Sequence, residues 1–354
     1  MVAASLRRSS RTSRALPGVS EPQAVALLLS ERCNNRCRMC IAPDALRGTD
    51  CSGAILRHGL LRHRARGFTA LEISGFESLV RPDAPELIRF ARDAGYERIH
   101  VITNARELAR PGLAAKLIAA GTTSFTISFH ASTARMEEAV SGVRGGFEGK
   151  VRGLGNLVRA VVAAGSGVLL RANVVILREN HRSLRSVCRL LHGLGLREVH
   201  LCFMSPLSSD LGRYFAHVVR YSRVGAPLRA ALQYLRDRGM DYRVVNVPHC
   251  RLREFPEAWP RIRHEAPSLR GAPTIPRVRE AFYRFVRASQ KVKPATCASC
   301  RFTGACPGVD DCYLDRFGPG ELRPIRGSAR RSSRGGAGSQ RVQDRSWREP
   351  GGSA

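Results

Sequence analysis

The sequence predicts an α/β fold, a partial (β/α)6 barrel followed by a small cysteine-rich C-terminal module. Three observations carry this expectation. From Gln23 onward, short apolar runs of β type alternate with longer helical stretches, the signature of a parallel sheet with crossover helices. Six such units can be counted, fewer than the eight of a closed barrel. Beyond Pro248 the composition shifts to Pro, Arg and Cys, which marks a second module.

The units follow in order. "AVALLLS" (Ala24 to Ser30) is a continuous apolar strand, followed by a polar loop with three cysteines and a helical stretch from about Cys51 to Arg66. "ALEIS" (Ala70 to Ser74) is the second strand. A helix is expected over Asp83 to Ala94, with Asp83 as N-cap and Gly95 as terminator, before the strand "RIHVIT" (Arg98 to Thr103). The next helix starts near Pro111 and stops at Gly121. Then come "SFTISFH" (Ser124 to His130), a helix over Val151 to Ala164, "GVLLRANVVI" (Gly167 to Ile176), a helix from about His181 to Leu194, and "EVHLCFM" (Glu198 to Met204). A helix over Pro227 to Gly239 and the strand "YRVVNV" (Tyr242 to Val247) end the barrel portion.

The expected organisation is a basic tail over residues 1–22, the barrel over 23–247, the cysteine-rich module over 248–326 and a second tail over 327–354. Both tails are too poor in apolar residues to bury a core and are expected to be disordered.

Hydrophobic residues make up 43% and charged residues 25% of the 354, a globular composition. No apolar run approaches the roughly 20 residues needed to span a bilayer, and the first residues lack the apolar stretch of a secretory signal. A soluble, cytoplasmic protein with no membrane partner is therefore expected. The net charge of +29 invites a nucleic-acid reading, because phosphate binding is largely electrostatic. Only Lys116, Lys150, Lys291 and Lys293 are lysines, and the remaining 54 of the 58 basic residues are arginines spread along the whole chain. Codon composition produces the same skew, so charge speaks first to solubility and non-specific association, and nucleic acid is not the favoured partner.

Eleven cysteines without a secretion signal argue for metal or catalytic use rather than a disulfide framework. Cys33, Cys37 and Cys40 form C-x3-C-x2-C directly after the first strand. Three thiolates do not complete a tetrahedral zinc site unless a distant Cys51 or a His joins them. A [4Fe-4S] cluster has four irons, so three cysteines leave one iron open to a further ligand. Downstream, "CASCRFTGACPGVDDC" gives C-x2-C-x5-C, with Cys250 as a distant fourth thiol. Four ligands suggest a closed site, for which zinc and an iron-sulfur cluster both serve.

C-x3-C-x2-C at the end of the first strand of a partial barrel resembles the radical S-adenosylmethionine (SAM) superfamily. The resemblance implies that the open iron binds the amine and carboxylate of SAM. An electron from the reduced cluster, supplied by a donor such as a flavodoxin or ferredoxin, then cleaves SAM to methionine and a 5'-deoxyadenosyl radical that abstracts a substrate hydrogen atom. "ISGFESLVRPD" resembles the family's Gly-Gly-Glu-Pro segment and lacks its second Gly and its Pro, which implies Gly75, Glu77 and the Phe76 backbone as contacts to the SAM amino group. "VITNAR" and "TISFH" resemble the third- and fourth-strand segments, which implies Thr103 and Ser128 as SAM contacts. Arg171 and Asn173 share one face of the fifth strand by period-two alternation, and the resemblance implies that the cation pairs with the SAM carboxylate.

The second cysteine group resembles the auxiliary-cluster modules called SPASM and twitch, in the short form with one cluster. This implies an auxiliary [4Fe-4S] cluster on Cys250, Cys297, Cys300 and Cys306, with Cys312 as the substitute for Cys250. His249 is expected to be structural, and Cys188 and Cys202 to be packing thiols. The expected function is hydrogen abstraction from a peptide or small-molecule precursor. RNA modification and a non-catalytic zinc-stabilised binding protein are the alternatives.

Overall fold

The computed structural model describes residues 24–40, 48, 50–165, 167–206, 211–259 and 290–327. The 1–22 tail and all but the first residue of the 327–354 tail lie outside them. Seven strands form one sheet: β1 (Ala24–Leu27), β2 (Ala70–Ile73), β3 (Arg98–Thr103), β4 (Ser124–Ser128), β5 (Leu169–Ile176), β6 (Glu198–Phe203) and β7 (Asp241–Val245). Every neighbouring pair is parallel and the order runs β1 to β7 without reversal or closure. An order that never reverses, joined by right-handed crossovers, puts the intervening helices on one face of the sheet. This is the expected partial barrel.

The intervening helices are α1 (Gly53–Ala65), α2 (Ala84–Asp93), α3 (Leu113–Ala119), α4 (Ala134–Ser141), α5 (Gly146–Ala163), α6 (Leu184–Gly193), α7 (Leu211–His217) and α8 (Tyr221–Asp237). Alternation along each strand separates the two faces. Ile99 and Val101 of β3, Phe125 and Ile127 of β4, and Ala172, Val174 and Ile176 of β5 are fully buried in the core against the helices. Glu72, His100, Thr126, Arg171, Asn173, Glu198 and His200 take the alternate positions, so the concave face is polar.

Several expected boundaries move, each for a local reason. α1 starts at Gly53, not Cys51, because Ser52 caps it by accepting from the Ala54 N–H. Asp83 occupies the N-cap position of α2 without capping it, since both its carboxylate oxygens hold Arg81. α4 and α7 are additional to the expected elements, and α5 begins at Gly146 rather than Val151. α8 begins at Tyr221, so Pro227 lies inside the helix instead of opening it. The true start is set from outside the helix: the Tyr221 N–H donates to the Tyr313 hydroxyl and the Ser222 N–H to Glu321.

After β7 the chain forms a turn at Cys250, a short antiparallel pair β8 (Lys291–Val292) and β9 (Val309–Asp310), and α9 (Asp311–Phe317). Tyr313 of α9 packs with Phe203 and Tyr221 of the barrel, and Phe317 packs with Tyr313 and with Phe215 of α7. This docks the tail of the module on β6 and α8.

Candidate active site

The loop leaving β1 carries Cys33, Cys37 and Cys40, all half-buried. Its path is set by contacts with two other segments. The Arg36 and Arg38 N–H groups donate to the Ser141 and Val140 carbonyls at the C-terminal end of α4, at 2.8 and 3.0 Å. That approach requires glycine at position 142, where φ is +67° and an added Cβ would stand 2.8 Å from the Arg36 carbonyl oxygen. On the other side, Asn104 donates to the Asn34 side chain at 2.7 Å and Asn34 to Glu107 at 3.0 Å. Arg106 donates to the Asn35 side chain at 2.8 Å and to the Asn34 carbonyl.

The three sulfurs act on one another. Burial pushes the Cys37 thiol up to about 12, Cys40 and Cys33 add to the rise, and the Lys150 ammonium opposes it. Among the described residues no three His, Cys, Asp or Glu side chains are arranged to hold a metal ion. A cluster asks something different of its ligands, one thiolate on each of several irons, and a set of three neighbouring thiols on one loop fits that demand.

Gly75 follows β2 with φ of +81°, and a Cβ there would lie 2.4 Å from Leu28 Cδ1, so the close turn depends on glycine. Phe76 is also left-handed at φ 37°. Glu77 is fully buried, and its carboxylate accepts from the Leu79 N–H, the Thr103 hydroxyl and the Asn104 N–H at 3.2, 2.8 and 2.7 Å. Burial dominates over these donors and raises its pKa to about 7. Glu77 and Thr103, expected as SAM contacts, are thus turned toward each other, and Thr103 also accepts from the Ala105 N–H. Their shared work is to tie the turn after β2 to the Asn104–Glu107 segment that holds the cysteine loop.

Ser128 and Asn173 are direct partners in the β4–β5 register. Cys202 donates to Asn173 at 2.8 Å, while Cys188 is buried on α6. Arg171 faces the same side as Asn173 but lies two residues nearer the N-terminal ends of the strands, opposite Thr126 and Glu198. The cysteine loop leaves β1 at the other end. The ion partner of Arg171 is Glu198, at 4.0 Å, with Glu72 and His100 also under its influence. The expected pairing of this cation with a SAM carboxylate therefore competes with a carboxylate already in the sheet.

In the C-terminal module the expected ligands Cys250, Cys297, Cys300 and Cys306 are all half-buried. Burial raises Cys250, and Cys306 and Cys297 contribute; burial likewise raises Cys297, with Cys306 and Cys300 contributing. Burial raises the Cys312 thiol to about 11, and the charges of Asp310, Asp311 and Asp315 add to the rise. His249 is buried and stacks on Trp259 at 4.1 Å with rings 2° from parallel, against the edge of Phe302.

Sequence reading missed the residues that hold the loop, Asn34, Asn35, Asn104, Arg106, Glu107 and Gly142, and the buried pair of Glu137 and Lys150. The Asn-Asn pair between the first two cysteines was the available signal, since side-chain amides in a loop commonly bond to backbone or to other side chains.

Residues 27–191 match the radical SAM superfamily. Over 189 residues the chain is 30% identical to the PqqA peptide cyclase of Ruegeria pomeroyi, a match covering 52% of this chain and 48% of that protein. It is 26% identical over 187 residues to the AdoMet-dependent heme synthase of Methanosarcina barkeri, covering 52% and 51%. A probable GTP 3',8-cyclase of Saccharolobus solfataricus is 28% identical over 144 residues, covering 41% and 44%. The chain spans about half the length of these curated relatives. Among solved structures, Streptococcus suis SuiB bound to the precursor peptide SuiA superposes with a TM-score of 0.53 at 12% identity, over 70% of this chain and 53% of that one. Native anSMEcpe with bound AdoMet and the Kp18Cys peptide superposes with a TM-score of 0.51 at 13% identity, over 63% and 64%. At these identities the likeness is one of fold.

Proposed function

Since residues 27–191 are a radical SAM domain, we propose that this chain is an enzyme that reductively cleaves SAM at a [4Fe-4S] cluster on Cys33, Cys37 and Cys40 and abstracts a hydrogen atom from a peptide. The observation that carries the reading is the set of three half-buried cysteines on the loop after β1 of an all-parallel open sheet. When bound, the cluster supplies the electron that breaks the SAM sulfonium bond and the open iron that holds SAM.

The chain's own residues do the rest. The Asn34 and Asn35 side chains and the end of α4 fix the loop, and the glycine turn at Gly75 lets backbone approach what the loop holds. Ser128, Asn173 and Arg171 line the concave face with polar groups, Arg171 beside Glu198. A peptide substrate is favoured by the similarity to a peptide cyclase at the highest identity among the relatives named above. We assign residues 248–326 to an auxiliary [4Fe-4S] module on Cys250, Cys297, Cys300 and Cys306, supported by the C-x2-C-x5-C spacing and by the charges of Cys306 and Cys297 acting on Cys250.

Anaerobic reconstitution tests the reading, with iron and sulfide expected at roughly eight each for two clusters of four, and 5'-deoxyadenosine formed on adding dithionite and SAM. Replacing Cys33, Cys37 and Cys40 by Ala halves the iron and abolishes SAM cleavage. SAM turnover retained in that variant contradicts the assignment, and one equivalent of zinc with no 5'-deoxyadenosine ends the enzyme reading. Anaerobic, SAM-dependent capture from cell extract, with bound peptides and RNA identified by mass spectrometry, tests the substrate class. Enrichment of RNA alone would overturn the peptide assignment.

A further inference from the structure

Lys150 on α5 and Glu137 on α4 form an ion pair with Nζ 2.6 Å from Oε1 and both side chains only 1% exposed. Such a pair is a poor source of stability, because taking two charges out of water costs about as much as their attraction returns, and well-packed apolar side chains commonly do as well. The pair lies beside the cysteine loop, whose backbone is bonded to the end of α4.

It is not symmetric about Cys37. The residues on either side of Cys37, Arg36 and Arg38, donate their N–H groups to Ser141 and Val140 at the end of the helix that carries Glu137, and of the two charges Lys150 acts on the Cys37 thiol more strongly than Glu137. The ammonium is also 5.4 Å from the centroid of the Phe129 ring, while Glu137 Oε2 is buried without a hydrogen-bond partner among the described residues. One carboxylate oxygen and one aromatic face thus hold the cation in place away from water. There its field is little screened. One-electron reduction adds negative charge to an iron-sulfur cluster, so a fixed cation beside a ligand makes that reduction easier, and neighbouring charge is among the factors that set cluster potentials.

We propose that Lys150 is a positioning residue for the redox step: its buried ammonium raises the reduction potential of the cluster on Cys33, Cys37 and Cys40, and Glu137 limits by how much. The proposal rests on the cluster reading of those three cysteines.

The test is an anaerobic redox titration of the reconstituted full chain, following the EPR signal that changes on adding SAM. Lys150→Arg keeps the cation and is expected to hold the wild-type midpoint. The Glu137→Gln, Lys150→Met double variant removes both charges. It is expected to lower the ratio of reduced to oxidised cluster at the wild-type midpoint threefold to tenfold, tenfold being about 59 mV for one electron. Glu137→Gln on the Lys150→Arg background leaves an unopposed guanidinium, which stays protonated, and is expected to move the midpoint upward. Opposite shifts are the signature of a field; a pair that only braces α4 against α5 would not produce them. A wild-type midpoint in the double variant at full iron content overturns the proposal. If the double variant does not retain iron, the Arg background decides: an upward shift supports the proposal, and an unchanged or lowered midpoint overturns it. Iron loss from every variant, Lys150→Arg included, marks the pair as structural. A wild-type chain that takes up no cluster sinks the cluster reading instead.

Discussion

Glu77 illustrates how much one buried carboxylate does in this site. It accepts three hydrogen bonds, yet burial keeps its pKa near 7, well above the ordinary carboxylate range. Such a group contributes stability that is full below its unfolded pKa near 4.5 and is lost as pH rises toward 7. Glu77→Gln has no such dependence and sets a donor against the Asn104 N–H, at a cost of about 1–3 kcal/mol. The stability gap between wild type and E77Q is therefore expected to be wider at pH 4.5 than at pH 8, measured by urea unfolding of the cluster-free chain. A gap that is constant or widens with pH would show that Glu77 is ionised throughout. At the same scale His100, bonded to Ser124 and Thr126, is held near 4 by burial and the Arg171 charge, and so lies neutral on the concave face at neutral pH.

At the scale of elements, the cysteine loop owes its shape to its neighbours more than to itself. The end of α4 meets it through Gly142, so Gly142→Ala introduces both a left-handed alanine, at roughly 1–2 kcal/mol, and a contact with the Arg36 carbonyl. The expected result is poorer iron retention at this loop while iron held by the C-terminal cysteines is unaffected; normal iron content and an unchanged melting temperature would refute the role given to the α4 junction. Element types were legible in the sequence because a strand or helix announces itself within a few residues. The starts of α5 and α8 were not. At α8 the decisive donor-acceptor pairs come from Tyr313 and Glu321, far along the chain, and a proline inside a helix reads locally as a helix start.

For the whole molecule, those same contacts join the C-terminal module to the barrel. The Tyr313 hydroxyl accepts from the Tyr221 N–H and donates to Glu321, which also pairs with Arg220, while the Tyr313 ring lies against the stacked Phe203 and Tyr221 rings and against Phe317. Tyr313→Phe keeps the ring and removes the hydroxyl, leaving the Tyr221 N–H without its acceptor and Glu321 Oε2 without this donor. A loss of about 1–3 kcal/mol by chemical denaturation is expected, with SAM cleavage retained. A fully stable variant would show that the aromatic packing alone docks the module.

The sequence by itself determined the alternation of strands and helices, the open parallel sheet and the three-thiol loop at its first strand. These are written in patterns a few residues long, where side-chain period and cysteine spacing have direct geometric meaning. Tertiary structure alone decided which polar residues serve which purpose. It turned Glu77 and Thr103 toward each other, placed Arg171 beside Glu198, and set Lys150 against Glu137 beside Cys37. It also put Cys250 under the influence of Cys306 and Cys297, and Cys312 under that of Asp310, Asp311 and Asp315. The reason is physical: a buried charge or donor must find a partner, and the partner it finds is set by which distant segments the folded core brings within a few ångströms.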